Sequence, residues 1–303
     1  MEHLHSSWPL VSLVNESYWA RKMFYSDWFL SMFGSQVTDA AGIGKVRSFV
    51  VDIVSERFRK HEAGDDVEET KKDMLSSWMK HGLTQTQCDA ESLLALVAGS
   101  ETSASVIRMT LLCLLTNPAA YRRLQETVRE TLKRGDVSEP ISFAQAKAIP
   151  YVKAVVYEGM RMRPGTQGTF PKIVPPQGET VQGGVFLPGG TRVGMNVPAV
   201  LRNEQVFGAH PAAFRPERWL DPQLTPAKVA EMEQATELVF GTGRWMCAGK
   251  PIALMELYKV FFELARNFEF GIANPIQPME TTCYNVYVDR NFWVWATDVA
   301  AKA

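Results

Sequence analysis

Apolar residues recur at helical spacing over most of the first 160 positions, and short alternating runs come only after them. Residues 1–35 carry Trp8, Tyr18, Trp19, Phe24, Tyr25, Trp28, Phe29 and Phe33, which read as one or two apolar helices broken near Pro9. Aromatic density of this kind predicts core, with a pocket wall or a membrane surface as the alternatives. A second helix is expected over 42–59, with Val46, Phe49, Val50, Ile53 and Val54 on one face. Its opening Gly42-Ile43-Gly44-Lys45 is too tight for a phosphate loop and has no Ser or Thr after the lysine. A charged loop follows over 61–73, then a short helix over 73–81 that Gly82 stops.

Thr84 and Gln87 stand at capping-box spacing and start a long helix over 85–116, which Asn117-Pro118 ends. This helix is apolar on more than one face, which places it in the middle of the fold. The stretch Ala98-Gly99-Ser100-Glu101-Thr102 is expected to interrupt it. A glycine there costs up to about 1 kcal/mol against alanine, and a buried acid is expensive unless paired. Such a stretch suits a site that needs backbone access and a proton donor.

Helices are further expected over 118–134, 142–148 and 150–162, the last ended by Pro164. From 164 to 198 the texture changes to short strands over 169–174, 179–181, 185–187 and 191–195, punctuated by Gln182-Gly183-Gly184 and Pro188-Gly189-Gly190. A helix over 226–238 leads to a glycine-rich loop, Phe240 to Gly249, and then an apolar helical run over 251–270. Two alternating segments, 283–288 and 292–297, read as a closing hairpin. The expected fold class is mainly α with small β-sheets (α+β), as one domain over 1–303.

Composition narrows the function classes. Hydrophobic residues make up 46 % of 303, enough for a large core, and a net charge of −1 gives a nucleic-acid partner no support. The four cysteines form no Cys-x-x-Cys pair, and the five histidines show no metal-ligand spacing. That argues against zinc and against a disulfide framework, and fits a reducing compartment. The start of the chain lacks the pattern of a signal peptide. No apolar stretch reaches the roughly 18 residues of a membrane span, and the longest, over 93–115, contains Glu101 and Arg108.

Candidate chemistry lies in four places. Gly241, Gly243 and Gly249 are interleaved with Arg244, Trp245 and Cys247 just ahead of a helix. Backbone N–H groups at such a position favour a thiolate, which suits an axial ligand to iron. Taken alone, the loop is equally a buried cysteine after a glycine turn. The others are the Gly99-Ser100-Glu101-Thr102 stretch, Glu158 and Arg161 three apart on one helix face, and Pro216-Glu217-Arg218-Trp219.

These four features, in this order and spacing, resemble the cytochrome P450 family of haem-thiolate monooxygenases. The texture of 201–220 and 240–270 is similar to fungal microsomal members such as pisatin demethylase and benzoate 4-monooxygenase. The resemblance implies haem b (iron protoporphyrin IX) with Cys247 as the axial ligand of its iron. Phe240 would pack against the haem near the sulfur, and Gly241, Gly243 and Gly249 would let backbone pass under the porphyrin. Glu101 and Thr102 would supply the protons that dioxygen cleavage consumes, and Gly99 would give room for the oxygen. Glu158, Arg161 and Arg218 would form a buried clasp that holds the cysteine loop. Cys113 and Cys283 lie outside any glycine-rich loop and are expected to be core residues.

The implied activity is insertion of one oxygen atom from O2 into an apolar small molecule in fungal secondary-metabolite, including mycotoxin, biosynthesis. Electrons would come from NADPH-cytochrome P450 reductase, met by basic residues such as Lys250, Lys259 and Arg266. The implied location is intracellular, on the cytosolic face of the endoplasmic reticulum, with peripheral membrane contact. The sequence departs from the family in two ways. The usual arginine two residues before the cysteine is Trp245, with Arg244 beside it as the candidate for a haem propionate. Family members are also longer and begin with a membrane anchor, so the chain is expected to be shortened at its front. It would start near the helices that roof the substrate pocket, here 1–35. Two other readings stand beside the monooxygenase: a shortened, haem-poor P450-like protein, and a haem-thiolate isomerase or dehydratase.

Overall fold

A computed structural model describes residues 8–34, 38, 39, 42–64 and 72–299. The first seven positions and residue 35 of the aromatic segment lie outside the described residues, as does 65–71 of the charged loop. The chain divides into two compact units, Met1–Ser100 and Glu101–Ala303.

In the first unit, α1 (Trp8–Glu16), α2 (Tyr18–Phe24) and α3 (Asp27–Phe33) replace the one or two expected helices. Pro9 does not break α1. It sits in the first turn, where a missing N–H costs nothing. The breaks fall instead at Ser17 and Ser26, whose hydroxyls accept from the N–H groups of Ala20 and Phe29 and so start new helices. The expectation of core fails here: α2 and α3 bury no residue, and Trp19, Trp28 and Phe33 are exposed. Their rings meet one another along the surface, as Phe24 and Phe29 do at 4.6 Å. The core of this unit lies elsewhere. Val50 and Val54 of α4 (Gly42–Glu62), Leu75 of α5 (Met74–Lys80) and Cys88 form it.

The long helix α6 (Gln85–Leu115) opens on the expected capping box: Gln87 N–H donates to Thr84 Oγ1 at 3.3 Å, and Thr84 N–H donates to the Gln87 side chain at 2.9 Å. It runs unbroken through 98–102, contrary to expectation. One glycine costs too little to stop a helix of such length among good helix formers. Nor is it buried throughout. Leu94 and Leu96 are exposed, whereas Glu101, Ser105, Val106, Thr110, Leu111 and Leu114 are buried.

The second unit is built around α9 (Pro150–Met162), buried from Tyr151 to Arg161 except at Lys153. Helices α7 (Pro118–Arg134) and α8 (Phe143–Lys147) pack with it and with the later helix α13 (Lys250–Asn267). Gly159 lets α9 approach α6, since a Cβ there would collide with the Thr110 hydroxyl. Strands β1 (Lys172–Ile173) and β4 (Arg192–Val193) pair antiparallel, as do β2 (Glu179–Val181) and β3 (Val185–Leu187). The short α10 (Val197–Val200) and α11 (Glu204–Phe207), a 3-10 turn at Pro216–Trp219, and α12 (Pro226–Glu237) lead to the cysteine loop.

The C-terminal strands correct one expectation. β7 (Tyr287–Arg290) pairs with β6 (Glu280–Cys283), and β8 (Val294–Asp298) pairs with β5 (Phe268–Ile272). The two alternating segments therefore do not form a hairpin with each other. Asn291, in the left-handed region at φ 58°, turns the chain out of β7. The architecture is mainly helical with small antiparallel sheets, as the sequence pattern implies.

Candidate functional site

The loop that bears Cys247 is shaped by two left-handed glycines, Gly241 at φ 74° and Gly243 at φ 62°. Other residues rarely adopt this conformation. It is closed by Cys247 N–H donating to the Phe240 carbonyl at 2.7 Å. Phe240 is half-buried against the core of the second unit, while every residue from Gly241 to Gly249 is exposed. Cys247 is thus no buried core thiol. Gly249 has ordinary backbone geometry at φ −77°, and a Cβ there would sit 3.6 Å from the Cys247 sulfur. Its smallness keeps space beside the thiol.

Around the sulfur-bearing loop the surface is apolar. Trp245, Met246, Ile252 and Met255 are all exposed. Trp245 carries two cations, the Arg244 guanidinium 5.1 Å and the Lys172 ammonium 5.7 Å from its ring centre. A reachable thiol with exposed apolar side chains beside it fits a large flat group bound through a thiolate-seeking metal.

The three expected clasp residues meet. Arg161 donates to both oxygens of Glu158 at 2.8 Å, and Arg218 Nε donates to one of them at 3.0 Å. Two donors that no spacing signalled complete the carboxylate: Trp219 Nε1 at 2.9 Å and Arg215 N–H at 2.7 Å. Other N–H groups of the two guanidiniums donate to carbonyls, including those of Leu201, Phe207, His210 and Ala213. Burial pushes the Glu158 carboxyl up, but its bonds to Arg161 and the charge of Arg218 outweigh this and hold it below the ordinary carboxylate range. Burial lowers the Arg218 guanidinium, against the pull of Glu158.

A tether from the clasp helix to the start of α13 was not legible in the sequence. Tyr157 OH donates to Glu237 at 2.7 Å, and Lys250 Nζ donates to the other oxygen of Glu237 at 2.7 Å. These residues are 80 and 13 positions apart, so no motif spacing connects them. Two of the basic residues expected to face a reductase are engaged inside the chain: Lys250 in this tether, and Arg266 with Glu139 at 2.9 Å.

On α6, Glu101 is 1 % exposed and lies 3.7 Å from Arg108. Thr102 is half-buried, in close approach to Gly165. Gly99 is exposed, with open space where a Cβ would be. Cys113 is half-buried, and burial followed by the Glu158 charge pushes its thiol up to about 11, which keeps it neutral and inert. Cys283 was expected in the core and is exposed instead, on the short strand β6, whose residues all face solvent.

A family model described as Cytochrome P450 matches residues 8–286. The chain belongs to the cytochrome P450 family. A cytochrome P450 monooxygenase, aba1, of Botryotinia fuckeliana is 39 % identical over 291 residues, covering 96 % of this chain and 55 % of that protein. The cytochrome P450 monooxygenase ABA1 of Pyricularia oryzae is 39 % identical over 293 residues, 96 % of this chain and 54 % of its own. A pisatin demethylase of Fusarium vanettenii is 32 % identical over 237 residues, 77 % of this chain and 44 % of its own. This P450 chain therefore spans about half the length of the curated relatives it matches. Membership implies a haem. Among the described residues, no helix is long and apolar enough to cross a membrane.

Proposed function

We propose that this P450 chain carries the thiolate and proton-handling parts of a haem monooxygenase that inserts one oxygen atom from O2 into an apolar small molecule. The observation that carries the reading is the exposed Cys247, held in a loop of left-handed glycines among exposed apolar side chains. Cys247 would ligate the iron of haem b, and Phe240, Gly241, Gly243 and Gly249 would form the loop under it. Arg244, exposed on the same loop, is the cation offered to a haem carboxylate. When bound, the haem supplies the oxidising chemistry for attack on a C–H bond.

The chain's own residues do the rest. Thr102 and Glu101 hold and pass the protons that the reaction consumes. Glu158, Arg161 and Arg218 hold the backbone of 201–218 in one arrangement. The Tyr157–Glu237–Lys250 tether ties that clasp to the base of the cysteine loop. The electron donor would be an NADPH-dependent reductase, and the site of action the cytosolic face of the endoplasmic reticulum. Likeness to monooxygenases and to a demethylase from fungi supports a role in fungal secondary metabolism.

The test is spectroscopic. The purified, reduced chain under carbon monoxide should show an absorption band at about 450 nm, the signature of thiolate-bound haem, and Cys247→Ala should remove it. Well-folded protein that takes up no haem would overturn the reading.

A further inference from the structure

A cavity of about 170 Å3 lies in the second unit between α9, α12 and the turn at Pro216–Trp219, and the proposed chemistry does not use it. Tyr157 and Trp219 supply aromatic walls, their ring centres 5.3 Å apart and their planes inclined at 50°. Ala154 and Val229 add aliphatic surface from the two helices. Lys153 and Glu233 mark the side nearer solvent, joined at 2.6 Å, with side chains 35 % and 24 % exposed. Ala154, Tyr157 and Trp219 are buried.

Both rings are pinned from outside the cavity. Tyr157 OH donates to Glu237 at 2.7 Å, and Trp219 Nε1 donates to Glu158 at 2.9 Å. A ring that swung inward to fill the gap would forfeit its bond and leave a carboxylate short of a donor. The space is therefore held open, and a site formed beforehand needs little reorganisation when a ligand enters. An apolar cavity of about 150 Å3 takes benzene, so this one has room for a single ring. Charge narrows the class further. Lys153 and Glu233, the two charged side chains of the lining, neutralise each other. An ionic ligand would have to break that pair or stay unpaired beside apolar walls. A neutral ring breaks nothing and meets Tyr157 and Trp219 in the offset or edge-to-face arrangement that aromatic groups prefer.

We propose that this cavity is a second small-molecule site, selective for a neutral monocyclic arene. Its lining includes no residue of the 240–249 loop, so occupancy needs no haem.

Two measurements on the full chain test it, with toluene as the probe. In the first, the Trp219 indole N–H resonance is followed by NMR. It should move as toluene is added and saturate with a dissociation constant of about 1 mM or tighter. Benzoate and benzylammonium, the same ring with a charge, should bind about tenfold or more weakly. Ala154→Leu places a larger side chain in the space and should weaken toluene binding by a similar factor. If that variant does not fold, Val229→Phe, from the opposite helix, takes its place. No movement up to the solubility of toluene, equal affinity for a charged probe, or undiminished binding in the filled cavity overturns the proposal.

The second is urea unfolding. With toluene at ten times its dissociation constant, the unfolding constant should fall about elevenfold, and should stay unchanged in the filled variant. No fall in the original chain, or an equal fall in both, overturns the site. Neither readout involves haem, so failure of the monooxygenase reading is distinguished from failure of this one.

Discussion

The Glu158 clasp and the Cys247 loop belong to the same unit, yet they are built on opposite terms. Each oxygen of Glu158 has at least two donors, and the side chains of Glu158 and both arginines are almost wholly buried. The loop shows the reverse: its residues 241–249 are exposed, and its large apolar side chains face outward. The clasp is complete within the chain. The loop has the geometry of a surface meant to be covered. Stability is therefore expected to sit in the first region and ligand chemistry in the second, and mutations should separate the two.

The largest effect is expected at the clasp. Arg161→Ala leaves Glu158 short of its closest cation, and Glu158→Gln leaves two buried guanidiniums without their anion. Breaking a buried pair on one side costs about 3–5 kcal/mol, so either variant should unfold at much lower urea concentration. A loss below about 1 kcal/mol would mean that the network is not what holds this unit together.

A smaller effect is expected from acid. The Glu158 carboxyl is held below its ordinary value in the folded chain, so between the two values the unfolded state binds more protons. That contribution is fully present above the ordinary carboxylate range and is lost as pH falls through the folded value. Stability should decline below about pH 4.5, with Glu158 adding up to about 1.4 kcal/mol per pH unit. The stability-versus-pH curve of Glu158→Gln should be flatter by that amount. Identical slopes would remove Glu158 from the acid response.

The smallest effect is expected at the loop. Trp245→Ala should change unfolding free energy by no more than about 0.5 kcal/mol, as for other exposed positions. It should nevertheless weaken haem retention, read as faster haem loss to a scavenging protein. A large loss of stability with unchanged haem retention would erase the contrast between the two regions.

Much of this was legible in the sequence because it rests on local chemistry. The capping box at Thr84 and Gln87, the Pro150 and Pro164 bounds of α9, and the glycines on either side of Thr242 all act within a few residues. Glu158 and Arg161 could be paired from their three-residue spacing. The Ser17 and Ser26 caps also have a local signal, a Ser just ahead of each apolar run, which Pro9 masks because a proline is the more conspicuous helix breaker. Other features had no local signal. The pairing of β5 with β8 joins strands some 25 residues apart. The burial of Asp289 had none either: its partners come from α6, β6 and the residue after α9.

The sequence by itself determined the family and most of the helices, because motif order and 3.6-residue periodicity depend on neighbours along the chain. Only the tertiary structure decided which charges are buried together and which apolar side chains remain outside. Burial and ion pairing depend on distances that the folded backbone sets. Hence Lys250 proved to be part of a tether, the aromatic helices proved to be exposed, and Arg108 proved to lie between two acids from different elements, Glu101 and Asp289.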